Sequence, residues 1–309
     1  MFKNIALELK NEKNITIYGP EKYLKNLCTS LSIQKWNSYH KIFAPFLKKY
    51  DIIHVSHQLS SYFHCKTKNQ KKIVTLHDLN FLHENFSPKK IEKVRKKVNK
   101  NIGNADVIVC ISNFAKKDFL ENRNLFTLER EPRIEVVYNG IDFPVYKELE
   151  IEKFHFLKNK KFILNIGVMF PKKNQLSLLN MLLFVEEDLV FVTSDLKSDY
   201  AEELQHFVLK NNIEERVHVF KNVTDDEKLW LLKHCIAMCH PSLAEGFGIP
   251  PIEAMSFGKP IFLSKLTSLP EIGGDVAFYF ENLNLIAWQR FLKKVWKNTI
   301  KNQKNSKKI

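Results

Sequence analysis

The sequence predicts an α/β protein made of two domains, each built on a parallel sheet. Three observations carry this. The chain is 309 residues long, beyond the usual size of a single hydrophobic core. Short, nearly continuous apolar runs alternate with longer amphipathic stretches, the pattern of strands covered on both faces and joined by helices. The alternation breaks near the middle, over residues 142–158, where Pro144 and mixed charge read as a linker. The domains are therefore expected at 1–146 and 147–309.

In chain order, residues 1–11 put Phe2, Ile5, Ala6 and Leu9 on one helical face, and residues 15–18 form a strand. A helix follows over 21–31, then strands at 50–55 and 72–76, the second ending at His77-Asp78. A lysine-rich helix leads to a strand at 106–111 with Ser112-Asn113 at its end, and a strand at 134–138 runs into Asn139-Gly140. Ligands of parallel sheets collect at the carboxyl ends of the strands, where His77, Ser112 and Asn139 fall. In the second half, apolar runs at 162–167, 189–192, 217–220, 235–239, 259–264 and 276–280 read as strands, with a helix at 225–234.

Composition narrows the function classes. Hydrophobic content of 44% supplies packed cores and excludes a disordered chain. No run approaches the roughly 18 apolar residues of a membrane span, and residues 1–8 lack a signal peptide's apolar core. Five cysteines (Cys28, Cys65, Cys110, Cys235, Cys239), an odd number with three in apolar runs, read as reduced core residues of a cytoplasmic protein. Cys235 and Cys239 lack the second pair that a structural metal site would need, so no metal is expected. The net charge is +14, with seven Lys or Arg among residues 89–100 and a basic tail at 293–308. Such runs are by default solvated faces. Among partners, an anionic membrane surface fits better than nucleic acid, since no zinc-finger, RRM or KH pattern is present.

The most informative stretch is His240-Pro241-Ser242-Leu243-Ala244-Glu245-Gly246-Phe247-Gly248-Ile249-Pro250-Pro251-Ile252-Glu253. A buried strand leads in, two glycines make a loop, and paired prolines suit the first turn of a helix, where the amide needs no partner. Gly246 and Gly248 let a ligand approach the backbone amides of Gly246, Phe247, Gly248 and Ile249. The helix start behind them favours an anion such as a diphosphate. Glu245 in the loop and Glu253, expected in the first helical turn, would border one crevice and accept sugar hydroxyls. The bland reading is an ordinary strand-to-helix turn with a capping acid.

These residues resemble the E-x7-E signature of the retaining glycosyltransferases of family 4, and the likeness continues through Pro270-Glu271-Ile272-Gly273-Gly274. Further landmarks are His77-Asp78, Ala105-Asp106 with Ser112-Asn113-Phe114, Asn139-Gly140-Ile141-Asp142, and the loop Gly167-Val168-Met169-Phe170-Pro171-Lys172-Lys173. The likeness spans about residues 2–285 and is nearest in character to bacterial mannosyltransferases of surface polysaccharide assembly, whether lipopolysaccharide O-antigen or capsule.

The resemblance implies the GT-B fold, two Rossmann-like domains. It also implies hexosyl transfer, retaining and metal-independent, from a GDP- or UDP-linked sugar to a glycan or lipid-linked acceptor. The nucleotide sugar is a co-substrate, and no other cofactor is implied. Carried over residue by residue, Glu245 contacts the donor sugar, Gly246 to Ile249 hold its hydroxyls, and Glu253 takes the ribose. Lys173, helped by Lys172, neutralises the diphosphate, and His77 stands near the reacting carbon. No D-x-D triad points to the metal-dependent alternative fold.

Two departures are visible. The family often carries Arg directly after the loop glycine, where this chain has Val168, so the lysines are left to balance the diphosphate. Family members also open with a strand and a Gly-rich loop, whereas residues 1–11 here read as the first helix. The N-terminal domain is thus expected to be incomplete, with either a start lying upstream or residues 15–18 taking the central place in a reduced sheet. The enzyme is expected in the cytoplasm, with peripheral contact at the inner face of the plasma membrane. Two rival readings follow: a truncated, catalytically impaired sugar-nucleotide-binding or partner protein, and a basic nucleic-acid-binding protein.

Overall fold

The structure is a computed structural model that describes residues 9, 12, 14–20, 31–141, 148 and 150–280. The helix read over 1–11, nearly all of that read over 21–31, the Pro144 end of the linker, Cys28 and the basic tail fall outside the described residues. The chain divides into two units, Met1–Asp142 and Phe143–Ile309.

In the first unit, strands β1 (Thr16–Gly19) and β2 (Ser32–Lys35) pair in parallel as a sheet of two. Strands β3 (Ile52–Val55), β4 (Lys71–Leu76), β5 (Val107–Cys110) and β6 (Arg133–Val136) form a separate parallel sheet in that order. Helix α1 (Pro88–Ile102) lies between β4 and β5 in sequence, and α2 (Asn113–Glu121) between β5 and β6. Each helix starts on a serine cap: Ser87 Oγ accepts from the Lys90 amide, and Ser112 Oγ from that of Ala115. Val74, Leu76, Ile108 and Cys110 of the central strands are wholly buried against Val98, Ile102 and Phe119.

Of the two alternatives for the first domain, the one that gave residues 15–18 a central place is not met: β1 pairs with β2, outside the larger sheet. The physical reason is burial. Thr16, Ile17 and Tyr18 are only half-buried, whereas a central parallel strand needs both faces covered, as β4 has. Strand β2 was not legible in the sequence, because Ser32, Ile33 and Lys35 are exposed and carry no apolar signal.

The second unit holds β7 (Phe162–Ile166), α3 (Gln175–Leu182), β8 (Asp188–Thr193), α4 (Asp199–Lys210), β9 (Val217–Lys221) and α5 (Asp225–His234). It continues with β10 (Ala237–His240), α6 (Ile249–Ser256), β11 (Ile261–Ser264), α7 (Leu269–Gly273) and β12 (Phe278–Phe280). All six strands are parallel, in the order β12-β11-β10-β7-β8-β9. Side chains alternate between the faces with the strand period of two. Ile163, Leu189, Phe191 and Cys239 pack with Leu178, Leu179 and Leu204 on one side. Phe162, Leu164, Val190 and Met238 pack with Trp230, Leu231 and Leu269 on the other. Helix α5 begins with a capping box, in which Thr224 and Glu227 bond each other's backbone.

Cys235, Cys239 and Cys110 are buried and free, and burial pushes the Cys235 thiol up to about 12, the behaviour of inert core residues, whereas Cys65, also read as a core residue, is exposed in the loop between β3 and β4. Cys235 caps α5, so the strand read over 235–239 is instead β10. No helix among the described residues is long and apolar enough to cross a membrane.

Candidate functional site

The strand order reverses direction between β7 and its neighbour β10. From β7 the chain builds outward to β8 and β9, then returns to lay β10, β11 and β12 on the other side. In open parallel sheets such a reversal is where ligands bind, outside the carboxyl ends of the strands, and the two loops leaving β7 and β10 flank that position. These are residues 167–174 and 241–248, the two stretches that carry the sequence motifs. They are tied together at their bases. Asn165 Nδ2 donates to the Cys239 carbonyl at 2.8 Å, and the Leu243 amide donates to the Lys172 carbonyl at 2.7 Å.

The first loop ends in a single 3-10 turn, Pro171–Lys173, closed by Asn174 in the left-handed region at φ 53°. Asparagine is among the few residues that take this conformation readily. The abrupt turn sends Lys173 back across Gly167, with its Cδ and Cε 3.8 Å from the position a Cβ would take there. Lys173 Nζ reaches Glu245 Oε1 at 2.5 Å. His240, at the end of β10 and 1% exposed, donates from Nε2 to the same oxygen at 2.6 Å. No described residue bonds Oε2 of Glu245, so the carboxylate has one oxygen saturated by its own chain and one open for a ligand hydroxyl. Burial by itself would raise the Glu245 carboxyl. The His240 hydrogen bond and the Lys173 charge more than offset it and hold the group well below its ordinary range.

The backbone of this loop is clamped from the far side. The Glu245 amide donates to Thr267 Oγ1 at 3.0 Å, and the buried Ser268 hydroxyl lies between the carbonyls of Glu245 (3.0 Å) and Phe247 (2.8 Å). Thr267 has φ 53°, a strained conformation for a β-branched residue and of the kind that gathers at functional sites. Gly248 has φ 111°, a region closed to side chains, and its reversal of the chain starts α6 at Ile249. Phe247 is buried, while Ile249 is 37% exposed at the helix start.

The helix opens one residue before the proline pair, so Glu253 is its fifth residue and falls just past the first turn in which the sequence suggested it. The first turn of α6 carries no acid. Glu253 pairs instead with Lys228 of α5 at 2.8 Å.

In the first unit His77 stands at the end of β4. Its amide donates to Gln58 Oε1, and its Nε2 donates to the Ser56 carbonyl at 3.0 Å. The imidazole of His57 stacks on it with ring centres 4.6 Å apart. Nearby, His83 Nε2 meets Asp118 Oδ1 at 2.8 Å, and burial raises the carboxyl of Asp118. Within its own unit the structure thus brings Lys173 and Glu245 together; it sets Glu253 against Lys228, and His77 belongs to the other unit.

Sequence reasoning missed His240, Thr267, Ser268, Lys228 and His57. His240 was detectable as a polar residue ending an apolar run. The others carry no local signal, because they act through residues distant in sequence.

The family profile described as "Glycosyl transferases group 1" matches residues 147–308, and that described as "Glycosyltransferase Family 4" matches residues 8–143. The chain belongs to the group 1 glycosyl transferases. Its two parallel-sheet units are the GT-B fold of this family. Among relatives, the O-antigen chain mannosyltransferase RfbU of Salmonella typhimurium is 27% identical over 166 residues, which are 53% of this chain and 44% of that protein. O-antigen chain mannosyltransferase B of Escherichia coli is 26% identical over 221 residues, 69% of this chain and 58% of that one. The chain thus spans about half the length of these curated relatives. Among solved structures, Anabaena Alr3699/HepE in complex with UDP and glucose superposes with a TM-score of 0.72 at 18% identity, covering 97% of this chain and 87% of that one.

Proposed function

We propose that this glycosyltransferase moves a hexose from a GDP- or UDP-linked donor to a glycan or lipid-linked saccharide, with retention and without a metal, in the assembly of a bacterial surface polysaccharide. The observation that supports this reading best is the convergence of Lys173 and His240 on one oxygen of Glu245 at the strand-order reversal. A carboxylate pinned in this way stays anionic and presents its second oxygen to a sugar hydroxyl. The ammonium beside it and the start of α6 offer positive potential to a diphosphate.

In the reaction, the bond from the anomeric carbon to the diphosphate oxygen breaks, and the acceptor oxygen bonds to that carbon. The acceptor's proton passes to the departing phosphate. Charge grows on the leaving diphosphate, and Lys173 with the α6 amides would stabilise it electrostatically. Glu253 would take the ribose hydroxyls, exchanging its Lys228 partner or sharing it, and the residues around His77 would handle the acceptor side. The O-antigen mannosyltransferases among the relatives favour mannose as the sugar.

Calorimetry with GDP-mannose, UDP-glucose and UDP-N-acetylglucosamine, followed by a radiolabel transfer assay on lipid-extract acceptors, tests the reading. Binding with label transfer supports it. Donor binding without transfer would leave a sugar-nucleotide-binding protein, and no binding of any donor would overturn both.

A further inference from the structure

The stretch from Leu31 to Tyr50 in the first unit contains no carboxylate and carries Lys35, Lys41, Lys48 and Lys49, all of them exposed. It also presents large apolar side chains to solvent: Trp36 is 44% exposed, Tyr39 75%, Phe43 66% and Ile42 91%. Isolated exposed apolar residues need no explanation, but a contiguous group rimmed by one sign of charge marks an interaction surface.

The stretch is a built platform with an ordered floor. Its two 3-10 turns, Ser38–Lys41 and Pro45–Lys49, begin at Asn37, whose side chain accepts from the Tyr39 amide, and at Pro45. Beneath them Tyr18 of β1 packs on Phe63 at 4.6 Å and on Phe46 at 6.1 Å between ring centres, and its hydroxyl meets His40 Nδ1 at 3.1 Å. Tyr62 meets the edge of Trp36, and Lys41 Nζ lies 5.7 Å from the Tyr62 ring centre. His40, Phe46 and Phe63 are thus spent on holding the turns, while Tyr39, Ile42 and Phe43 are left pointing to solvent with lysines around them.

We propose that this platform docks the first unit on an anionic lipid bilayer. The chemistry selects that partner. Aromatic rings with a polar edge settle at the headgroup level, Ile42 and Phe43 reach the acyl boundary, and the lysines meet anionic headgroups. A protein partner would need no uniform absence of carboxylate over twenty residues. The floor residues Tyr62 and Phe63 lie in the same loop as His57, which stacks on His77. A docked platform would thus anchor to the membrane, through this one loop, the unit that carries His77 and that would receive a lipid-linked saccharide. The docking itself does not rest on donor binding, so vesicle binding and glycosyl transfer can fail independently.

The test is flotation of the full chain with phosphatidylcholine vesicles, with and without about 30% phosphatidylglycerol, at about 0.1 M and about 0.5 M salt. The chain should float with the anionic vesicles at low salt, bind the neutral ones far less, and show a blue shift of tryptophan emission that Trp36→Phe removes. Ile42→Asn combined with Phe43→Asn should lower vesicle partitioning by about tenfold or more. The triple change Lys41→Gln, Lys48→Gln, Lys49→Gln should lower it by about tenfold or more and flatten the salt response. All these side chains are exposed, so circular dichroism and melting should match the parent. Failure of the parent chain to float would overturn the inference. So would unchanged flotation of the Ile42/Phe43 variant, which would assign binding to lysines elsewhere. A concentration-dependent dimer in sedimentation that the same variant dissolves would overturn it in favour of a second copy of the chain.

Discussion

Lys173 Nζ lies 2.5 Å from Glu245 Oε1, although the two residues are 72 positions apart in the chain. Both ends of the pair are largely sheltered, at 15% and 12% side-chain exposure, so the ammonium is not a loose surface charge. It is held beside the open oxygen of Glu245, where the donor's sugar and diphosphate would meet. Replacing Lys173 with Met keeps the stem against Gly167 and removes only the charge. Affinity for the nucleotide sugar is expected to fall by about tenfold to a hundredfold, the scale of one charge-assisted contact. Calorimetry checks this, and unchanged affinity would remove Lys173 from the donor site.

Glu245→Gln keeps the shape and removes the anion. Turnover is expected to drop by about a hundredfold or more, with the fold intact by circular dichroism. The loss leaves Lys173 and His240 facing an amide in a buried site, which should cost roughly 1–3 kcal/mol in a urea titration. Near-normal turnover in the variant would reject the assigned role.

Acid should weaken the second unit through this same carboxyl. Its folded-state value lies below the ordinary 4.5, so the stability it contributes is fully present above about 4.5 and is lost as pH falls below that towards the folded value. The sign is that of a depressed acid, and the window lies on the acid side only. The urea midpoint of the parent chain should therefore drop more steeply between about pH 5 and about pH 3 than that of Glu245→Gln, which lacks the titrating group. Parallel curves would show that the pair adds no pH-linked stability.

Gly248 and Gly258 both have positive φ, at 111° and 65°, yet alanine should separate them. A Cβ at Gly248 would stand 3.0 Å from Leu269 Cδ2, whereas one at Gly258 has nothing within 4 Å. Gly248→Ala is expected to lose about 2–3 kcal/mol and Gly258→Ala about 1 kcal/mol. Donor affinity should fall only for Gly248→Ala, because only that glycine sets the loop that carries Glu245. Melting curves and calorimetry on the two variants decide it, and equal effects would count against the crowding argument.

Much of the fold was legible because strands covered on both faces write themselves as apolar runs. All six strands of the second sheet overlap such runs, and Gly246 with Gly248 marks the loop before α6. Strand β2 was illegible because its side chains face water. The place of β1 stayed open between two alternatives because a half-buried strand carries the same residues at the edge of a small sheet as it would in a large one. Glu253 was placed in the first turn instead of just past it, since paired prolines mark the start of a helix only to within a residue or two. Gly248 determined where α6 begins.

By itself, the sequence determined the α/β alternation, the two loops at strand ends, and the presence of Glu245, Lys172 and Lys173 in them, with Glu253 in the helix that follows. These are local properties, expressed in periodicity, glycine placement and residue type. Only the tertiary structure decided that Lys173 and His240 converge on one oxygen of Glu245 and leave the other open, and that Thr267 and Ser268 hold its backbone from behind. The physical reason is the strand order. The loops meet because β10 is laid beside β7 after the chain has gone out through β8 and β9 and come back. That pairing is set by the packing of the whole sheet and is written in no single stretch of residues.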